Sequence, residues 1–320
     1  DSKFSTMGNL IGATIIVTDC YHSQATYERI ISAFDPSKNM ITLNASCDDG
    51  DLGVYSRWYI QNKMQFLDDE GEYIVSNGKL YIKINGPLSY SNIEISTSKT
   101  PALDLSGKSH LKFIGLKIMF FYEDSAIVEN DGWSAWPDSM SSTSILIRNC
   151  TISDCRVGVD VQHGTDDPGT KATSWTIEHC EFGKIDEDAI STWTPYNGSV
   201  VGISDFTIKN NYFHDVGFNS KWGRCVLISR ALRFWITGNS FSRILGSSVE
   251  LAETNSRESN ATTGTVLIMG NIFSQQCLGA SYCSCVSFWS TKISHIWKDI
   301  LIVENLCQSA VGWSLVMEKR

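Results

Sequence analysis

Apolar and polar residues alternate over short runs along most of the chain, and the runs recur. The clearest phrase reads IKNNYF at 208–213, ITGNSF at 236–241 and IMGNIF at 268–273. Weaker echoes are FIGLKI at 113–118, IRNCTI at 147–152, IEHCEF at 177–182 and IVENLC at 302–307. Aligned, they give one column of Leu116, Cys150, Cys180, Asn211, Asn239, Asn271 and Asn305. A second column two residues on holds Ile118, Ile152, Phe182, Phe213, Phe241, Phe273 and Cys307. The alternation, rich in Ile, Val, Phe and Thr, predicts strands. A further strand is predicted after five of the phrases, at VGVDV, DAIST, CVLIS, SVELA and CVSFW.

The step between first-column members runs from 28 residues (211 to 239) to 34 (271 to 305). A drifting period of about 30 residues built from short strands predicts a solenoid in which each coil stacks on the one before. Stacked strands lie about 4.8 Å apart, so each column becomes a ladder of like side chains. Phe182, Phe213, Phe241 and Phe273 are then expected to form an internal aromatic file. Asn211, Asn239, Asn271 and Asn305 are expected to form an amide ladder at an inward turn, where buried polar groups satisfy one another and the backbone. An αL turn residue is expected at these Asn positions.

These ladders resemble those of the right-handed parallel β-helix proteins of the pectate-lyase-like superfamily. The resemblance covers roughly 90–318 and implies an all-β fold. The expected organisation is an N-terminal β leader over 1–89 that covers the first coil, then a parallel β-helix over 90–320. An open coil end exposes strand edges, so a cap is physically needed. The leader contains the strand-like runs GATIIVT, RIISAF and MITLNA and a hairpin signal at Ser76-Asn77-Gly78. Its FLDDEGEYIVSNGKLYIKI stretch at 66–84 resembles the N-terminal segment of many secreted bacterial β-helix proteins, several of which act on polysaccharides. No equally clear cap follows Met317, so the C-terminal coil is expected to meet a copy of the chain or another chain head-to-tail.

A net charge of −9 argues against nucleic acid, which wants a basic face. No apolar run reaches membrane-spanning length. Ten cysteines favour an oxidising compartment, and an extracellular or cell-surface location is expected. Cys150 and Cys180 share a column on successive coils, within Cα reach of a disulfide. Cys20 and Cys47 flank the leader strands and are a second candidate pair. Cys277, Cys283, Cys285 and Cys307 cluster late in the chain. Cys283-Ser284-Cys285 lacks the usual zinc spacing, and no metal centre is expected. Ca²⁺ has candidates at Asp166-Asp167 and Asp186–Asp188, without EF-hand spacing. No other cofactor is implied. Glycosylation sequons stand at Asn44, Asn149, Asn197 and Asn260.

In the second strand of each coil the outward column is Asp160, Ser191, Leu227, Glu250 and Ser287. Near it lie His163, Lys221, Arg224 and Arg230, and Trp193, Trp222 and Trp289 are expected to line a glycan-binding face. If the groove is catalytic, Asp188 is the expected proton donor or nucleophile and Asp186 its partner, with Arg224 and Arg230 holding acidic sugars. IDEDAI resembles the Asp-Asp element of polygalacturonase-like hydrolases, but their N-T-D, G-H-G and R-I-K motifs are missing, as is the Arg-x-Pro-x-x-Arg element of pectate lyases. Asp160 and Glu250 are expected three coils apart, about 14 Å, too far to act as a pair. His214 is read as a turn residue hydrogen-bonding its neighbours. Incomplete motifs favour a structural subunit: a glycosylated extracellular module of a filamentous or cell-surface assembly. The alternative is a secreted glycoside hydrolase or polysaccharide lyase, and a third reading is a non-catalytic carbohydrate-binding domain.

Overall fold

The computed structural model describes residues 7–18, 26–46, 57–87, 93, 95–122, 125–129, 142–162, 172–193, 203–217, 223–229, 231–253, 265–276, 284–290, 299–308 and 313–319. Two compact units meet in sequence at Ile95 and Ser96. No α-helix occurs among the described residues.

The first unit is antiparallel. Thr14–Thr18 pairs with both Thr26–Asp35 and Arg57–Gln61, and Thr26–Asp35 pairs with Met40–Leu43. Leu10, Ala13, Ile15, Val17 and Ile31 are buried between them. Tyr73–Ser76 and Lys79–Ile82 form the hairpin expected at Asn77-Gly78, and both turn residues have φ > 0, at 53° and 71°. A type I′ turn, with φ > 0 at both central residues, matches the twist of the flanking strands, and Asn-Gly is the pair that adopts it most readily.

The second unit is the solenoid. Sheet I has eight strands: Leu103–Asp104, Ser125–Glu129, Val157–Gln162, Ile190–Trp193, Val226–Ser229, Val249–Glu253, Ser284–Ser290 and Trp313–Lys319. Sheet II has seven: Lys112–Ile114, Ser142–Arg148, Ala172–Glu178, Ile203–Lys209, Ala231–Thr237, Val266–Met269 and Ile300–Val303. Sheet III also has seven: Lys117–Met119, Thr151–Cys155, Glu181–Ile185, Tyr212–Val216, Ser240–Ile244, Ile272–Ser274 and Leu306–Gln308. Each coil runs II, III, I, and within each sheet every neighbour is parallel.

The sheet III register is the second sequence column: Ile118, Ile152, Phe182, Phe213, Phe241, Phe273 and Cys307 are successive partners. The Phe rings stack with centroids 5.0, 4.9 and 4.8 Å apart. Sheet II adds a second aromatic file, Trp175, Phe206 and Phe234, at 5.4 and 5.1 Å. The sequence columns do not contain it, because it lies two residues before the repeating Ile. That Ile forms its own file of Ile147, Ile177, Ile208, Ile236, Ile268 and Ile302.

The Asn ladder is present. The backbone N–H and side-chain amide of Asn211 both donate to Asn239 Oδ1, at 2.9 and 3.0 Å, and Asn239 repeats the pattern on Asn271. Each side chain also donates to a carbonyl of the preceding coil, Asn239 to Ile208 O at 2.9 Å. Asn211, Asn239 and Asn271 are buried, and Asn305, on the last coil of this file, is half-buried. The αL residue is not the ladder Asn but the one before it: Asn149, His179, Asn210 and Glu304 have φ of 53°, 54°, 55° and 55°, and Gly115, Gly238 and Gly270 hold the same place. The αL residue reverses the chain with its side chain outward, which leaves the next residue pointing into the lumen.

Cys150 and Cys180 continue this ladder but do not form the expected disulfide. Both are free, buried thiols. Cys180 N–H donates to Asn211 Oδ1 at 2.9 Å, and Cys150 N–H donates to Cys180 Sγ at 3.4 Å, so sulfur replaces the amide oxygen. Stacked side chains on parallel coils point the same way, which offsets the sulfurs instead of turning them toward each other. Burial pushes the Cys180 thiol up to about 12 and Cys155 up to about 11, so neither supplies the thiolate that oxidation needs. The observed disulfide joins Cys285 of sheet I to Cys307 of sheet III, Cα atoms 6.7 Å apart. Cys20, Cys47, Cys277 and Cys283 lie outside the described residues.

Candidate functional site

Sheet I carries the candidate site on the side facing away from the lumen. Its register reads Val128, Asp160, Ser191, Leu227, Glu250, Ser287 and Val316, and so contains the outward column expected from alternation. Asp160 and Glu250 are three register steps apart. Ser191, Leu227 and Ser287 are nonetheless buried. Trp193 and Trp289 hold register positions two residues on, but their side chains, and all of Trp222, lie outside the described residues. Arg230, His163 and Asp166-Asp167 lie outside them too.

A charged cluster sits at the corner where the chain enters sheet I. Asp188 precedes Ile190–Trp193, and Arg224 precedes Val226–Ser229 one coil later. Arg224 Nε and Nη2 donate to Asp188 Oδ1 and Oδ2, both at 2.9 Å, and the Arg224 backbone N–H adds a third bond at 3.0 Å. Arg224 Nη1 reaches Glu250 Oε1 at 3.0 Å, on the next coil again. A bidentate fork on one side and a single bond on the other use the geometry that only guanidinium offers. Burial by itself lowers the pKa of Arg224, but Asp188 and Glu250 outweigh it and the net direction is up.

Glu187 lies beside this cluster, its Oε2 3.9 Å from Arg156 Nε. Part of its side chain meets solvent, yet burial of the carboxyl pushes its pKa up; Arg156 and Arg224 oppose the shift and Asp188 adds to it. No sequence pattern marks Glu187, because the environment of its carboxyl depends on packing between coils.

The structure therefore changes the expected roles. Asp188 and Arg224 do meet. However, both Asp188 oxygens accept from Arg224, so Asp188 anchors the guanidinium and has no free face for proton transfer. Arg224, clamped between two carboxylates, is not presented to an acidic sugar. Asp186 is half-buried two residues earlier in the turn. The Asp186–Asp188 pair does not offer a cation site either, since the Asp188 oxygens are engaged. Among the described residues, Asp68, Asp69 and Glu72 of the leader are close enough to gather round a cation. There, Glu72 Oε2 accepts the N–H groups of Asp68 and Asp69, both at 2.8 Å, as a turn does. Replacing Arg224 with Met is expected to cost about 3–5 kcal/mol, since the buried Asp188 and the half-buried Glu250 lose their counter-charge. Chemical denaturation measures it, and a loss below about 1 kcal/mol would contradict the burial of the cluster.

A second cluster lies on sheet III. His214 Nδ1 faces Asp215 Oδ2 at 2.7 Å and His214 Nε2 faces Glu181 Oε1 at 3.0 Å. Arg243 Nε and Nη2 donate to Asp215 Oδ1 and Oδ2, both at 2.6 Å. His214 thus bonds its neighbours, as read from sequence, but from within a strand. The Arg243 bonds lower the Asp215 carboxyl from its ordinary 3.8 to about 2, against burial. A depressed folded pKa gives stability that is present above the ordinary value and lost as pH falls through about 2. Arg243→Ala is therefore expected to lower the melting temperature near neutral pH and to lose most of that effect near pH 2. Equal losses at both pH values would contradict the coupling.

Of the sequons, Asn149 is exposed on its αL turn. Asn44 is exposed, and its Oδ1 accepts Ile30 N–H at 2.9 Å. Asn197 and Asn260 lie outside the described residues.

Comparison with known proteins agrees with this architecture. Residues 137–295 match the family model of a right handed beta helix region. A solved structure named "Glycoside hydrolase" superposes with a TM-score of 0.50 at 12% identity, over 98% of this chain and 72% of that one. No curated protein matches the chain. Stacked parallel sheets, in-register ladders and the matched region together make this chain a right-handed parallel β-helix protein.

Proposed function

We propose that this β-helix cleaves glycosidic bonds of a neutral polysaccharide on the outer face of sheet I. The observation that carries the reading is the neighbourhood of Arg224. It joins Glu250, held at 3.0 Å as the partner carboxylate, to a corner where burial favours the protonated form of Glu187. Two carboxyl groups in such different environments divide the work of acid and base in glycoside hydrolysis. Glu187 is assigned as proton donor and Glu250 as the carboxylate that acts on water or on the sugar through Oε2, since Arg224 holds Oε1 while Oε2 meets the Ser287 hydroxyl at 3.5 Å. The likeness to a glycoside hydrolase supports this by fold analogy alone.

A neutral substrate follows from charge. Beside the proton donor, Asp160, Asp186, Asp188 and Glu250 crowd this region. The described cations there, Arg156 and Arg224, are paired with Glu187 and with Asp188 and Glu250. A polyuronate would meet repulsion, whereas hydroxyl groups can bond to carboxylates without a charge penalty.

The test is release of reducing ends from a panel of neutral polysaccharides. Glu187→Gln and Glu250→Gln should each cut kcat by about 10²–10⁴-fold, with Glu187→Gln leaving the melting temperature unchanged. Wild-type protein that releases nothing from any neutral polysaccharide sinks the proposal, and unsaturated product from a polyuronate would point to a lyase instead.

A structural module in an extracellular assembly is the second reading. It is favoured by the mutual satisfaction of Asp188, Arg224 and Glu250, which resembles a clamp between coils. Under that reading Glu187→Gln changes nothing measurable, while Arg224→Met still loosens the stack.

A further inference from the structure

We propose a second carbohydrate-contact surface on the outer face of sheet III, a platform for one neutral sugar ring built on Tyr212 and His214. The proposal rests on the glycan reading above but uses different residues on a different sheet. The Tyr212 and His214 rings stack with centroids 4.7 Å apart and planes 28° from parallel. Tyr212 is 40% exposed, although its ring is packed against its neighbour.

The ion cluster by itself reads as a clamp: Glu181, His214 with Asp215, and Arg243 tie three successive coils. Tyr212 also bonds Arg243 of that clamp, yet this bond does not account for the stacking of the two rings or for the exposure of Tyr212. The Tyr212 column reads Lys117, Thr151, Glu181, Tyr212, Ser240, Ile272 and Leu306, and the His214 column reads Met119, Ser153, Gly183, His214, Ser242, Ser274 and Gln308. The residues next to the aromatic pair on the following coil, Ser240 and Ser242, and Gly183 on the preceding one are small, so the rings stand above them. Gly183 is part of the design: a Cβ there would lie 2.5 Å from His214 Cε1, so its absence lets the imidazole lean across the neighbouring strand. Carboxylates at both ring nitrogens then hold the imidazole in place beside Tyr212.

A rigid aromatic face with planar polar groups on either side suits a pyranose. The ring's apolar C–H face packs on the aromatic surface, and its equatorial hydroxyls reach outward. Glu181 and Arg243, with 50% and 43% of their side chains exposed, supply an acceptor and a donor at the edge. Aromatic side chains place this contact area at little conformational cost. Two carboxylates, Glu181 and Asp215, stand against one guanidinium, Arg243, so the cluster does not favour an acidic sugar.

The experiment titrates the full chain with soluble hexasaccharides of glucose, mannose, galactose and xylose and follows the Tyr212 and His214 ring resonances by NMR. Saturable shifts at millimolar concentration are expected with at least one of them. Tyr212→Ala should weaken that binding about tenfold or more, Tyr212→Phe should keep it, and Gly183→Ala should weaken it by displacing the imidazole. Glu187→Gln, which removes the proposed acid of sheet I, should leave it unchanged. Shifts without any turnover would sink the sheet I reading and leave this one standing. Turnover without shifts at either ring for any of the sugars overturns the platform, as does unaltered binding in a folded Tyr212→Ala variant.

Discussion

Asn239→Leu is expected to destabilise the solenoid by about 2–6 kcal/mol although Leu is apolar and of similar size. Asn239 Oδ1 is the acceptor for the backbone N–H and the side-chain amide of Asn211, and its own amide serves Ile208 O and Asn271 Oδ1. Asn211 Nδ2 keeps Ile177 O, and Asn271 Oδ1 keeps Asn239 N–H. Asn211 N–H and the turn-facing bond of Ile208 O are left without replacement. Each buried group abandoned in this way costs about 1–3 kcal/mol, which outweighs any gain from burying more carbon. Stability in a solenoid is close to a sum of neighbour interfaces, so the damage should be local at first. Hydrogen exchange should quicken in the coils holding Asn211 and Asn271 before those holding Ile118 or Ile152. A variant as stable as wild type would mean that water or a shifted turn can satisfy these groups.

Phe241→Ala is expected to cost about 3–5 kcal/mol, the range for truncating a large buried aromatic. Phe241 is fully buried and stacks on Phe213 and Phe273 at once, at 4.9 and 4.8 Å. Truncation empties the middle of the file and loses two ring contacts in addition to the transfer of the side chain. The file cannot readily collapse to fill the gap, because backbone pairing holds the coils at the strand spacing of about 4.8 Å. Phe182→Ala should cost less, since its partner in the preceding coil is Ile152 rather than a second ring. Denaturant titration of both variants checks the order, and equal losses would mean that ring stacking adds nothing to area burial.

The ladders were legible because each is a local property of the chain. Inward or outward direction follows from alternation within a strand, and Asn or Phe recurs at a fixed offset within each phrase. Asn211, Asn239 and Asn271 needed only those two facts. Cysteine chemistry at the same offset was less legible. Cys150 and Cys180 occupy the expected column, but the column fixes Cα spacing and not where a sulfur points. Cys285 and Cys307 lie on different sheets, so no column could pair them.

Sequence by itself determined the coil, its Asn ladder and Phe file and which strand positions face away from the lumen, though not the Trp175–Phe206–Phe234 file, because in-register stacking turns a repeated phrase into a repeated environment. Only the tertiary structure decided the charged sites. Asp188 meets Arg224 across 36 residues, and Arg224 meets Glu250 across 26. The residues that pair do not recur in the phrase. Whether an acid is clamped like Asp188, lifted like Glu187 or set beside a histidine like Glu181 depends on which side chains from adjacent coils share its corner. No alternation pattern encodes that, because it is a relation between coils and not within one.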